Sequence, residues 1–224
     1  MEAWDILVIG DGPAALRSAA QSAKHGAKTL LISSSALGSG DKSALDGLAA
    51  PIQEMNNRGH REDTIKSGYF LCDQDIVASK TSSAIDEMNH LEKAGVVFSR
   101  DSKGLPSTHK GIGHNSPRLV DAGDASIRDI QQVLEEQCMK YGVVRRSDQL
   151  PVMLVETNQK VDGLVTLDMI NGQFVAIQTK AVIIADGGFE GLFQGTAIGF
   201  GIDLALQAGM PLRGMEFIAK TPLG

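Results

Sequence analysis

The chain has 224 residues, 42% of them hydrophobic, which is enough for one sizeable core. Its net charge of -6 argues against a nucleic-acid partner, and no apolar run approaches the ~20 residues that span a bilayer, so direct membrane insertion is not expected. The two cysteines, Cys72 and Cys138, fall in no Cys-x-x-Cys pattern; they argue against a metal or iron–sulfur site on this chain and read as buried free thiols.

Ile6 to Ile9 is a continuous apolar run, as expected of a central parallel strand covered on both faces. Glu2 and Asp5 stand around its start, where no signal peptide fits, so the expected location is the cytoplasm or the cytoplasmic face of a membrane complex. Residues 13 to 25 carry Leu16, Ala19, Ala20 and Ala23 at helical spacing, with Gly26 as the stop. Thr29 to Ile32 makes a second buried strand and completes a βαβ unit. A loop rich in Ser and Gly runs from Ser33 to Gly47. Two helices follow, from about Glu62 and from about Asp73 to Lys93, then a short strand over Val96 to Ser99.

Ser126 to Tyr141 reads as an amphipathic helix. Three strands come next, Met153–Glu156, Gly163–Met169 and Phe174–Thr179, the last two joined by the Asn-Gly turn "INGQ". Ala181 to Ala185 is a further buried strand ending in "DGGF", and Ala197 to Ala208 is a helix stopped by Gly209. The sum is an α/β chain with a parallel central sheet, inserted helices and a small β-ribbon.

Gly10, Gly12 and Ala15 fill the pattern G-x-G-x-x-G/A between the first strand and the first helix. The first glycine permits the turn, the second leaves room for a pyrophosphate, and the small third residue lets helix and strand pack closely. The helix N-terminus offers free N–H groups and partial positive charge to an anion. Gly10, Asp11, Gly12, Pro13, Ala14 and Ala15 are therefore candidate dinucleotide contacts; the alternative is a glycine turn that merely packs. The acid usual at the end of the second strand is absent, and Ser33 and Ser34 stand there as weaker sugar or phosphate partners. Late in the chain, Ala185, Asp186 and Gly187 end a buried strand where backbone can approach a flat ligand.

In order along the chain, "DILVIGDGPAALRSA", "SALDGLAA", "EDTIKSGYFLCDQDIV", "GIGHNSPRLVDAGDAS", "IIADGGF" and "GIDLALQAGMPLRGMEFIAKTPLG" resemble the FAD domain of the succinate dehydrogenase / fumarate reductase flavoprotein family, with L-aspartate oxidase a close relative. The resemblance runs the whole length. It implies a Rossmann-like FAD-binding domain over residues 1–224, incomplete at its C-terminus and without the family's capping domain. It also adds Gly47 and Gly201 to the candidate FAD contacts.

Departures from the family pattern qualify its chemistry. The segment "ALGSGDKSALDG" has no histidine, which excludes covalent flavin there and implies non-covalent FAD. The glutamine of the family's "SAQGG" falls on Leu45, the threonine of "ATGG" on Asp186, the aspartate of "TGDG" on Phe200 and the histidine of "FHPTG" on Thr221. No catalytic residue and no metal ligand is assigned on this chain. The resemblance implies an oxidoreductase in which a dicarboxylate exchanges hydride with flavin, and a partner that is an iron–sulfur subunit or a further flavoprotein segment. An aspartate oxidase-like flavoenzyme and a non-catalytic scaffold that kept the fold are the alternatives. Self-association is expected from apolar surface left uncovered. His114 and Arg118, in the turn-rich "GIGHNSPR", read as residues that pin the loop by local hydrogen bonds.

Overall fold

The computed structural model describes residues 2–36, 47–52, 58–123, 126–158, 160–193 and 198–218. The chain divides into two compact units: residues 1–41 with 134–224, and residues 42–133.

The first unit is built on a six-stranded sheet. β1 (Ala3–Ile9), α1 (Pro13–Lys24) and β2 (Thr29–Ile32) form the βαβ unit expected from the periodicity. The chain returns to the sheet with β5 (Val144–Arg146), β6 (Gln149–Thr157), β7 (Lys160–Asp168) and β8 (Gln173–Ile184), followed by α5 (Phe200–Gln207). The strand order is β5-β2-β1-β8-β7-β6. β5, β2, β1 and β8 run parallel, while β6, β7 and β8 pair antiparallel. Two expected strands, over Phe174–Thr179 and Ala181–Ala185, are thus one continuous strand. Its first half pairs with β7 and its second half with β1, so one strand serves both the hairpin and the parallel core. β5 was not expected from its sequence. It is three residues long, and it is a strand because β2 supplies its ladder.

The hairpin turn at Met169–Gly172 forms where the Asn-Gly pair predicts it. Asp168 accepts from the N–H groups of Ile170 and Asn171, and Gly172 takes φ +70°. Trp4, Leu7, Ile9, Leu30, Ile32, Leu164 and Ile177 form one buried cluster with Leu204 of α5. The alternate strand residues, including Val8 and Leu31, are buried too, which matches the continuous apolar runs of a sheet covered on both faces. Here α1 packs on β1 and β2 through Ala15, Leu16, Ala19 and Ala20. α5 begins at Phe200 rather than at Ala197, which lies outside the described residues; Gly199, left-handed at φ +78°, precedes it.

The second unit holds the β3–β4 pair (Leu48–Ala49 with Leu119–Val120), α2 (Arg58–Ser67) and α3 (Gln74–Ala94). Asp73 caps α3, accepting from Asp75 N at 3.0 Å and Ile76 N at 3.1 Å, and Gly95 at φ +128° ends it. α4 (Ser126–Lys140) spans the division between the units. No regular strand forms at Val96–Ser99. Val96 and Phe98 are buried in alternation, but the run finds single partners, such as Asp121 O for Ser99 N, instead of a ladder.

Candidate functional site

Gly10 is wedged between two neighbours of β1. Its N–H donates to Ile32 O at 2.9 Å on the β2 side, and on the other side Ala185 N–H donates to Ile9 O at 2.9 Å. Its φ is +128°, and a Cβ there would stand 2.3 Å from Ala185 O. Only glycine fits such a position. Gly12 differs. Its backbone is extended at φ -76°, and a Cβ on it would meet nothing within 4 Å. The second glycine therefore holds open space, as a pyrophosphate cradle requires.

Immediately after it, α1 starts with Pro13 at its first turn, has no side-chain cap and carries no acid in that turn. Its first N–H groups and the positive end of its dipole are left for an external anion. Ala15 is wholly buried, the close helix–strand packing that the third position of the motif demands.

Around this turn lies a cleft of about 110 Å³ lined by Ile9, Gly10, Asp11, Ser33, Ser34, Ser35, Pro151, Asp186, Ile198, Gly199 and Phe200. Among the expected contacts, Gly10, Asp11, Ser33, Ser34 and Asp186 are brought together here, with Gly12, Pro13, Ala14 and Ala15 continuing into α1 and Ala185 against Gly10. Gly187 follows at φ +93°. Gly201 reaches the cleft indirectly, because its N–H donates to Asp186 Oδ2 at 2.8 Å. Gly47 belongs to the second unit. At φ +146° its backbone presses on Val120, where a Cβ would stand 2.6 Å from the carbonyl oxygen, so its task in the described structure is to admit the β3–β4 pair. Leu45, Asp46 and Thr221 lie outside the described residues.

Ser33 is buried and its hydroxyl accepts from Ser35 N at 3.0 Å, an inward-held turn that leaves Ser34 and Ser35 more open. Asp186 is half-buried. Burial pushes its carboxyl above the ordinary Asp value against the opposing Gly201 N–H, and Oδ1 is buried with no hydrogen-bond partner among the described residues. Pro151, Ile198 and Gly199 were not expected to line a site. Pro151 is the third residue of the antiparallel β6 and carries no ligand signal of its own; only the sheet order brings it to the cleft. Ser35 could have been found as the third member of the serine run.

In the second unit, Arg118 is completely buried and pairs with Asp63 at 2.7 Å. Asn115 donates to the same carboxylate from its backbone N–H at 2.8 Å and from its side-chain amide. Burial would raise the Asp63 carboxyl, but the Asn115 N–H, the Arg118 guanidinium and the Asn115 amide outweigh it and hold it at about 2. Arg118 also lies 3.0 Å from His114 Nδ1. A guanidinium only donates, so Nδ1 accepts and the imidazole proton sits on Nε2. His114 and Arg118 do pin their turn, yet the anchor is 55 residues away in sequence rather than local. His60 is half-buried, its ring centroid 6.3 Å from that of His114.

Among the described residues no group of three or more His, Cys, Asp or Glu is arranged to hold a metal, and no helix is long and apolar enough to cross a membrane.

The family model described as FAD binding domain matches residues 5–224. The fumarate reductase flavoprotein subunit of a Serratia species is 33% identical over 231 residues, covering 98% of this chain and 38% of the relative. The succinate dehydrogenase flavoprotein subunit of Rickettsia bellii is 30% identical over 238 residues, covering 99% and 40%. A solved quinol-fumarate reductase with menaquinol molecules superposes with a TM-score of 0.87 at 29% identity, over 97% of this chain and 40% of that one. The chain thus spans about two fifths of the length of these relatives.

Proposed function

Because this chain belongs to the FAD-binding domain family over residues 5–224, we propose that it is the FAD-binding portion of a succinate dehydrogenase or fumarate reductase type flavoprotein that holds FAD non-covalently. The observation that carries this reading is the pairing of an open cradle at Gly12 with the uncapped, acid-free N-terminus of α1. That geometry fits a pyrophosphate. Bound there, FAD supplies hydride exchange with a carbon substrate.

The chain's own residues bind and orient. Gly10 lets β1 and β8 close beneath the turn, Gly12 gives space for the two phosphates, and the first N–H groups of α1 donate to them. Ser34 and Ser35 stand at the end of β2, where they offer hydroxyls to the adenosine ribose. The absence of histidine from residues 36–47 supports non-covalent retention. The same absence also suits an aspartate oxidase-like flavoenzyme. In the whole protein the substrate would be a dicarboxylate, and electrons would pass to an iron–sulfur subunit. The surroundings would then be the cytoplasmic face of a membrane complex.

The test is the visible spectrum of the purified chain after incubation with FAD and desalting. A retained flavin band, released on acid precipitation, supports the reading. A chain that retains no flavin but binds a different nucleotide refutes it and raises the scaffold alternative. If a longer flavoprotein carries this domain, release of hydrogen peroxide with L-aspartate would favour the oxidase branch over the fumarate branch.

A further inference from the structure

The Asp186 carboxylate is tied at one oxygen and untied at the other. Oδ2 accepts from Gly201 N–H at 2.8 Å. This contact is built in on both sides: a Cβ on residue 201 would stand 2.3 Å from Asp186 Oδ1 and 2.1 Å from Ile184 Cγ2, so glycine is required for the carboxylate to sit where it does. Oδ1 is buried, lacks a hydrogen-bond partner among the described residues, and belongs to a residue that lines the cleft beside Gly10. A buried carboxylate oxygen is costly unless a donor reaches it.

The chemistry of that donor is constrained. A phosphate brings only negative charge and acceptors, and it is already provided for at α1. A hydroxyl brings an O–H donor. The sheet order decides which hydroxyl. β2 and β8 flank β1 on opposite sides, with the serines at the end of β2 and Asp186 just past the end of β8. A dinucleotide whose pyrophosphate lies over the β1 turn and whose adenosine ribose lies toward β2 sends its other half toward β8. In FAD that half begins with the ribityl chain.

We infer that Asp186 is the residue of this cleft that accepts a hydrogen bond from a ribityl hydroxyl of FAD, with the untied Oδ1 as the acceptor while Oδ2 is held by Gly201. The sequence departures agree with this. The chain carries Phe200 where the related pattern has an aspartate and Asp186 where it has a threonine, and the structure places both positions on one cleft. A carboxylate lost on one side of the junction is present on the other. The inference rests on the FAD reading above.

The test measures FAD and ADP affinity for the parent chain and for Asp186→Asn by fluorescence and calorimetric titration, with a melting curve on each protein. ADP keeps the adenosine and pyrophosphate and lacks the ribityl chain. With its oxygen on Gly201 N–H, an amide presents its NH2 to the ligand, so it can no longer accept the hydroxyl's hydrogen bond. The expected result is FAD binding weakened about 10- to 100-fold with ADP binding within about threefold of the parent. Asp186→Thr, whose hydroxyl still accepts from Gly201 N–H, should show the same selective loss and covers the case in which the amide variant folds poorly. Equal losses for FAD and ADP, unchanged FAD binding, or tighter FAD binding each overturn the inference. Tighter binding would mean that Asp186 repels phosphate. A parent chain that binds no FAD overturns the FAD reading itself, and this inference with it.

Discussion

The two glycines of the turn should respond to alanine in opposite ways, and the difference isolates the binding cradle from the fold. At Gly12 the backbone already suits any residue, and the added methyl meets no protein atom within 4 Å. Reduced chain entropy in the unfolded state favours Gly12→Ala by about 0.4–1 kcal/mol. The poorer helix-capping of alanine costs a similar amount, so net stability should move by no more than about 1 kcal/mol. The methyl does occupy the space assigned to the pyrophosphate. Overpacking of about 1–3 kcal/mol there corresponds to roughly 5- to 150-fold weaker FAD binding. Gly10→Ala is the converse case. Its Cβ would stand 2.3 Å from Ala185 O at φ +128°, and strain plus overpacking sum to roughly 2–6 kcal/mol against a typical total of 5–15. Thermal melts should show Gly12→Ala near the parent and Gly10→Ala well below it, and flavin fluorescence titrations should show Gly12→Ala losing affinity. A Gly12→Ala chain of parental stability that binds FAD within twofold of the parent would refute the cradle.

Removing one partner of the buried pair, as in Arg118→Leu, leaves Asp63 uncompensated and should cost about 3–5 kcal/mol in urea unfolding, more than the change of both partners to apolar residues. The same pair predicts an acid limit. The folded Asp63 carboxyl lies at about 2, below its ordinary value of 3.8, so its contribution is full above about pH 4 and is lost as the pH falls toward 2; Asp63→Asn should flatten that limb of a stability–pH curve. Cys138 is wholly buried, with burial pushing its thiol to about 11, whereas Cys72 is half-buried. Alkylation at pH 8 followed by mass spectrometry should therefore modify Cys72 first and reach Cys138 only when urea opens the fold.

Where partners are near in sequence, the residues determined the outcome by themselves. The strand, glycine turn and helix of residues 3–24 form as read, because apolar periodicity, a proline at the helix start and the glycine spacing act within a few residues of one another. Thr29–Ile32 is a strand from its first to its last expected residue, Asp73 caps the helix it was expected to open, and Asn171-Gly172 turns the hairpin. Tertiary structure decided whatever depends on a distant partner. Val144–Arg146 is a strand only because β2 offers an edge, and β8 is unbroken because two different neighbours pair with its two halves. Val96–Ser99 has a strand's alternation but no ladder to join. Arg118 looked like one more loop residue until Asp63, 55 positions earlier, gave its charge a buried partner. At the cleft, the glycine motif announced a phosphate cradle, but Asp186 acquired a defined place only when the fold set Gly201 N–H against one of its oxygens and left the other buried with no partner among the described residues. Local periodicity fixes which face of an element is apolar; which hydrogen-bond partner a buried polar group finds depends on chain segments that only the fold brings together.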